Sequence, residues 1–112
     1  TGGELLSKVI IPWIDLTIVP IEQDHANATF TKKVQKSDAL IDMNDIAKTN
    51  LQKIRSYAGW PNAYTFFEHK GKRIRVIIKE ADIIEGILIL KKVIPEGKKE
   101  MTFEEFERGY LK

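Results

Sequence analysis

The side chains able to do chemistry are few, and their spacing does not suit catalysis. His25 lies in a linker-like stretch and His69 at the edge of a turn, with no second ligand near either, so both read as loop histidines rather than metal ligands or a catalytic base. Glu104, Glu105 and Glu107 form an acidic cluster, but they fall in the first turns of a helix, where the helix dipole accounts for them. No nucleophile elbow, phosphate loop or dinucleotide fingerprint is present. With no cysteine, disulfides and thiolate metal sites are excluded, which fits a reducing, cytoplasmic setting. The chain by itself is expected to catalyse nothing.

The cations are better placed. Net charge is only +2, but residues 1–52 sum to −2, residues 53–99 to +6 and residues 100–112 to −2. A basic centre between acidic ends is the electrostatic footprint of a polyanion partner, although solvated faces are often basic too. In "KRIRVIIKEADI", Arg73, Arg75 and Lys79 alternate with Ile74, Val76 and Ile78, so one strand should show cations on one face and apolar groups on the other. Lys70 and Lys72 sit in the turn feeding that strand. Lys91 and Lys92 end the next one, and Lys98 and Lys99 occupy the corner after it. If the strands pair in chain order, several of these charges converge, and such a surface grips phosphates without reading bases. Tyr64, Phe66 and Phe67 could add a stacking platform, although alternating aromatics in a short strand, like Trp60 after a helix end, more often belong to a core.

The elements that must position these groups follow from periodicity. Leu5, Leu6, Val9 and Ile10 predict a short opening helix that Pro12 ends or kinks. Residues 15–43 read as an extended linker, with one short strand at Leu16–Val19. Ala47, Leu51, Ile54 and Ala58 predict a helix over 44–58, capped by Asp42, Asn44 and Asp45 and ended by Gly59 and Pro61. "AYTFFEH", "KRIRVIIKEADI" and "ILILKKVI" predict three strands joined by turns at Gly71 and Glu85–Gly86, the third apolar on both faces and so little exposed. Thr102 and Glu105 form a capping box opening a last helix, with Phe103, Phe106 and Tyr110 as its buried stripe. No apolar run is long enough to span a membrane.

Four stretches carry a resemblance. The tail "PEGKKEMTFEEFERGY" resembles the end of the C-terminal domain of methionyl-tRNA formyltransferases, where a Pro-x-Gly-Lys-Lys-x-Met turn enters a helix with an acidic-Phe pattern. "KIRSYAGWPNAYT" is similar to that family's helix end, Trp-Pro pair and first barrel strand. "TFTKKVQKSDALID" and "TGGELLSKVIIPWIDLTIVPIEQD" resemble the interdomain strap and the helix before it.

The resemblance implies an α+β, mainly β fold: a small open OB-like β-barrel flanked by helices and preceded by a short helix and an extended linker. It divides the chain into the terminal helix of a catalytic domain (1–14), an interdomain linker (15–43) and a C-terminal barrel domain (44–112). The family commonly inserts a hairpin between the strands corresponding to "RVIIKEADI" and "ILILKKVI", where only Ile84, Glu85 and Gly86 intervene here. The barrel is therefore expected to be shortened by about two strands.

The function implied is positioning of initiator methionyl-tRNA for formylation in translation initiation. The formyl donor, formyl-tetrahydrofolate, and the catalytic residues belong to an N-terminal domain whose motifs are absent, so the chain itself is expected to hold no cofactor. A chain opening within a helix and without an initiator methionine is expected to be a piece of such an enzyme, monomeric and partnered by its own catalytic domain. A free-standing RNA-binding module and the C-terminal domain of a sugar-nucleotide formyltransferase are the alternatives. The candidate RNA-binding set is Lys70, Lys72, Arg73, Arg75, Lys79, Lys91, Lys92, Lys98 and Lys99, with Lys32, Lys33 and Lys36 of the strap.

Overall fold

A computed structural model describes residues 1–111; Lys112, the last residue of the expected barrel domain, lies outside them. The chain forms two compact units, Thr1–Lys32 and a second beginning at Lys33.

The first unit holds helix α1, Gly2–Ile14. Thr1 caps it, its Oγ1 accepting from the Glu4 amide at 3.4 Å while Glu4 Oε2 takes the terminal ammonium at 2.9 Å. Pro12 sits within the helix rather than ending it. Its carbonyl accepts from the amides of Thr17 (2.9 Å) and Ile18 (3.4 Å), folding the chain back just past the helix end. That turn, with Leu16 at φ 55°, replaces the strand expected at Leu16–Val19. No residue of α1 is buried, and Leu6, Ile11 and Ile14 are all exposed.

The second unit is an α+β domain built on one antiparallel sheet, ordered β1-β2-β3-β4. The strands are β1 Tyr64–His69, β2 Lys72–Ile84, β3 Ile87–Pro95 and β4 Met101–Thr102. The sheet does not close into a barrel; four strands in this order are consistent with a shortened OB-like fold. Both long hairpins turn on two residues at positive φ, Lys70–Gly71 (49°, 72°) and Glu85–Gly86 (51°, 80°), the geometry whose twist matches that of paired strands. Helix α2, Ala47–Ser56, is shorter than its apolar pattern suggests. Residues 42–45 form a turn instead, in which Asp42 Oδ1 accepts from the Asn44 amide and the Asp42 carbonyl accepts from Asn50 Nδ2 at 2.7 Å.

The core gathers Ile41, Ile54, Ala63, Val76, Ile78, Leu90, Val93 and Phe106. Ile41 enters it because its amide donates to the Tyr64 carbonyl at 2.8 Å, laying residues 40–41 along the outer edge of β1. Short helix α3, Phe103–Phe106, and the wide turn Glu107–Leu111 complete the domain. Phe106 is fully buried between Phe67 and Tyr110. His69 is not a free loop histidine: it is half-buried and its Nδ1 lies 2.7 Å from the Tyr110 carbonyl, tying β1 to the last turn. Trp60 is 59% exposed, so it is not a core residue.

The capping box at α3 is formed as the spacing predicts. Thr102 Oγ1 accepts from the Glu105 amide at 3.3 Å, and Glu105 Oε2 accepts from the Thr102 amide at 3.0 Å. Thr102→Ala leaves the Glu105 amide without its acceptor and is expected to cost about 1 kcal/mol. A drop in the urea midpoint measures it, and an unchanged midpoint contradicts a stabilising cap.

A paired irregularity shapes β2 and β3. Ile78 faces Val93 and Ala81 faces Leu90, but between them Glu80 pairs with Lys92 and neither Lys79 nor Lys91 has a partner in the register. Each strand thus carries one extra residue, and the two cancel. Residues three apart, Val93 and Leu90, can then both point into the core, which strict alternation forbids. The other face of β3 is not covered: Ile87 and Ile89 are 63% and 38% exposed, so the strand expected to be apolar on both faces is buried on one.

Candidate nucleic-acid interface

On the face of the sheet away from the core, the register aligns Tyr64 with Ile77, Phe66 with Arg75 and Glu68 with Arg73. Each arginine leans diagonally along β1. The Arg73 guanidinium lies 3.9 Å over the Phe66 ring, and that of Arg75 lies 4.2 Å over the Tyr64 ring. Tyr64 and Phe66 meet edge to face at 5.7 Å. Stacking on a ring face fixes a guanidinium plane without consuming its N–H donors. Among the described residues neither arginine has a carboxylate within ion-pair distance, and Arg75 Nε is buried with no acceptor. Two fixed guanidinium groups with spare donors are an anion-binding arrangement.

The corner after β3 joins this face. The Glu96 amide donates to the Arg75 carbonyl at 2.9 Å, and the Lys98 amide to the Pro95 carbonyl at 3.0 Å, with Gly97 at φ 72° making the turn. A notch of about 230 Å³ results, walled by Ile77, Ile94 and Pro95 and rimmed by Arg75, Glu96 and Lys98. Lys98 and Arg75, 23 positions apart in the chain, share that notch.

Lys79, Lys91 and Lys92 belong elsewhere. Lys79 and Lys91 line a cleft of about 350 Å³ against α2, together with Arg55, Glu80 and Asp82. Lys91 Nζ bonds Asp82 Oδ2 at 3.3 Å, and Lys92 Nζ lies 3.5 Å from Glu80 Oε2. The Asp82 carboxyl is held below its ordinary range by the Ile83 amide first, then by Lys91. These cations are partly neutralised by their own strand neighbours. Arg55 adds a charge to that cleft which sequence reasoning missed, because nothing along the chain places the end of α2 beside β2.

Lys70, Lys72 and Lys99 are exposed in or beside turns. Lys33 is exposed near the start of the second unit, and Lys36 opens the 3-10 turn Lys36–Ala39. Lys32 belongs to the first unit. Of the three aromatics considered as a platform, Tyr64 and Phe66 lie on the arginine face. Phe67 turns inward onto Phe103 and Phe106. Among the described residues no group of three or more His, Asp or Glu could hold a metal, and no helix is long and apolar enough to cross a membrane.

Residues 33–86 match the formyl transferase, C-terminal domain family. Curated relatives align over almost all of the chain. The methionyl-tRNA formyltransferase of Dictyoglomus turgidum is 32% identical over 97% of this chain and 42% of its own length. That of Rickettsia bellii is 32% identical over 97% and 41%, and that of Nitratidesulfovibrio vulgaris 30% identical over 98% and 41%. The chain thus spans about two-fifths of the length of these relatives.

Proposed function

We propose that this chain, whose residues 33–86 match the formyl transferase, C-terminal domain family, is the tRNA-positioning part of a methionyl-tRNA formyltransferase. In this reading residues 1–14 are the last helix of a catalytic domain and residues 15–43 the strap from it. That domain supplies the reacting groups and binds the formyl donor, formyl-tetrahydrofolate, while this chain holds initiator methionyl-tRNA in place.

One observation carries the reading: Arg73 and Arg75, stacked on Phe66 and Tyr64 with no carboxylate within ion-pair distance among the described residues, with Lys98 across a notch. Phosphate is the ligand this chemistry suits. Planar guanidinium groups accept phosphate oxygens two at a time, and a lysine beside them adds a point charge. The grip is on backbone, whose phosphate contacts fix position and carry no sequence information. Placing the strap lysines Lys32, Lys33 and Lys36 on the same tRNA extends the contact along the chain.

Titration of the 112-residue chain with tRNA across a salt series tests this. Affinity should fall steeply, by about 0.7–0.9 log units per log unit of salt for each phosphate neutralised. The Lys98→Ala/Lys99→Ala variant should bind about 1–2 kcal/mol more weakly at low salt and with a shallower slope. Affinity that barely changes with salt rules out a backbone grip, and a parent-like double variant removes the corner from the interface.

A further inference from the structure

We infer that a pocket at the outer edge of β1 takes one unpaired nucleobase of the bound RNA, with cytosine or adenine favoured over uracil. The inference rests on the backbone grip proposed above and adds a base to it. The pocket, of about 350 Å³, lies between residues 40–44 and β1, with Asp42 and Asn44 on one side and Thr65, Phe66 and Arg73 on the other. That is the small end of the range for ligand pockets. It shares Phe66 and Arg73 with the phosphate grip, so a nucleotide whose phosphate sits on the arginines has its base beside this pocket.

Several hydrogen-bonding groups there are unspent. Thr65 lines the pocket and is only 6% exposed, yet its hydroxyl has no partner among the described residues. Buried hydroxyls are ordinarily paired, so this one asks for a ligand. The Arg75 carbonyl accepts from the Glu96 amide on the β3 side, so Phe66 and Arg75 face one another without exchanging hydrogen bonds. The Phe66 N–H and C=O therefore point to the outer edge, where residues 40–41 bridge only to Tyr64. Among the described residues nothing pairs with either group. Asp42 gives Oδ1 to the Asn44 amide, and its second oxygen has no partner among the described residues.

The chemistry of these groups selects the occupant. A carboxylate has the wrong sign for a second phosphate, but it accepts well from the amino group of a base. Asp42 and the Phe66 carbonyl supply two acceptors, and the Phe66 amide supplies a donor. An amino group next to a bare ring nitrogen answers all three, and cytosine and adenine carry that pair. Uracil has one N–H between two carbonyls, so in this pocket it sets acceptor against acceptor. The Arg73 guanidinium, flat on the Phe66 ring, offers a plane on which the base stacks, and Leu40 and Met43 close the apolar side. Unpaired bases stacked on aromatic or guanidinium planes and read along their pairing edge are the usual targets of sequence-selective RNA binding.

Titration of the 112-residue chain with short oligocytidylate and oligouridylate of equal length tests the pocket. The two carry the same phosphates and rings of the same size, so a backbone grip alone holds them equally. Oligocytidylate should bind about tenfold more tightly, the worth of one charge-assisted hydrogen bond. Asp42→Asn keeps an oxygen for the Asn44 amide but turns the free acceptor into a donor, and should abolish or invert that preference. Its lost charge strengthens both oligomers alike and leaves their ratio to report the pocket. Thr65→Val, of the same shape, should narrow the ratio and leave the salt dependence unchanged, so loss of fold in one variant leaves the other as a test. Equal, salt-sensitive binding of both oligomers overturns the pocket while the backbone grip stands. Binding of neither overturns both. A cytosine preference that survives both variants places base reading elsewhere and overturns the proposal.

Discussion

Replacing Phe106 by alanine is expected to remove a large share of the α+β domain's stability. The ring is fully buried and has Phe67 at 5.2 Å, Phe103 at 5.8 Å and Tyr110 at 4.9 Å. It is therefore the point at which β1, α3 and the final turn meet. Truncating a buried phenylalanine costs about 3–5 kcal/mol, the lost transfer energy plus the cavity left behind. A domain of this size holds on the order of 5–10 kcal/mol in total, so the loss is a large share of it. Tyr110 would lose its stacking partner as well, loosening the His69 contact that ties the chain's end to the sheet. Chemical denaturation followed by tryptophan fluorescence measures the change. A loss below about 1 kcal/mol would show that the aromatic cluster is not the centre of the fold.

The second large effect is on binding. Arg73→Ala/Arg75→Ala should reduce tRNA affinity by about 2–4 kcal/mol at low salt, on the scale of two charge-assisted hydrogen-bonding groups. Each arginine also contributes about 0.5–1 kcal/mol through its ring contact, so a modest fall in stability accompanies the loss. Lysine at both positions should restore only part of the affinity, because an ammonium keeps the charge but loses the planar fork. By contrast, Lys91→Ala/Lys92→Ala should cost less than about 1 kcal/mol of binding, since Asp82 and Glu80 already neutralise those side chains. Equal losses from the two pairs would mean that charge alone, rather than the stacked arrangement, governs the contact.

How much of this was legible from the sequence depended on the range of the interaction. The turns at Gly71 and Gly86, the Thr102 cap and the inward row Ile74, Val76, Ile78 are local, and each formed where its pattern pointed. The α2 start was misread because Asp42 and Asn44 serve a turn in which the Asn50 side chain reaches back to the chain before the helix. The fate of the lysines was beyond local reading. Lys91 finds Asp82 only once the strands are in register, and the paired bulges that leave Lys79 and Lys91 unopposed are a mismatch between two strands, visible in neither alone. The same applies to the site itself. Alternation placed Arg73 and Arg75 on the outer face, but their diagonal lean onto Phe66 and Tyr64, and the turn that brings Lys98 to Arg75, are tertiary facts.

The central claim is that the outer sheet face, not the α2 cleft, grips the tRNA. An amide and arginine side-chain NMR titration of the 112-residue chain with tRNA tests it most directly. Perturbations should cluster at Tyr64, Phe66, Arg73, Arg75 and residues 96–98, with the guanidinium signals of Arg73 and Arg75 shifting as they meet phosphate. Perturbations confined to Arg55, Lys79 and Asp82, with Arg73 and Arg75 unmoved, would contradict the account and move the interface to the cleft.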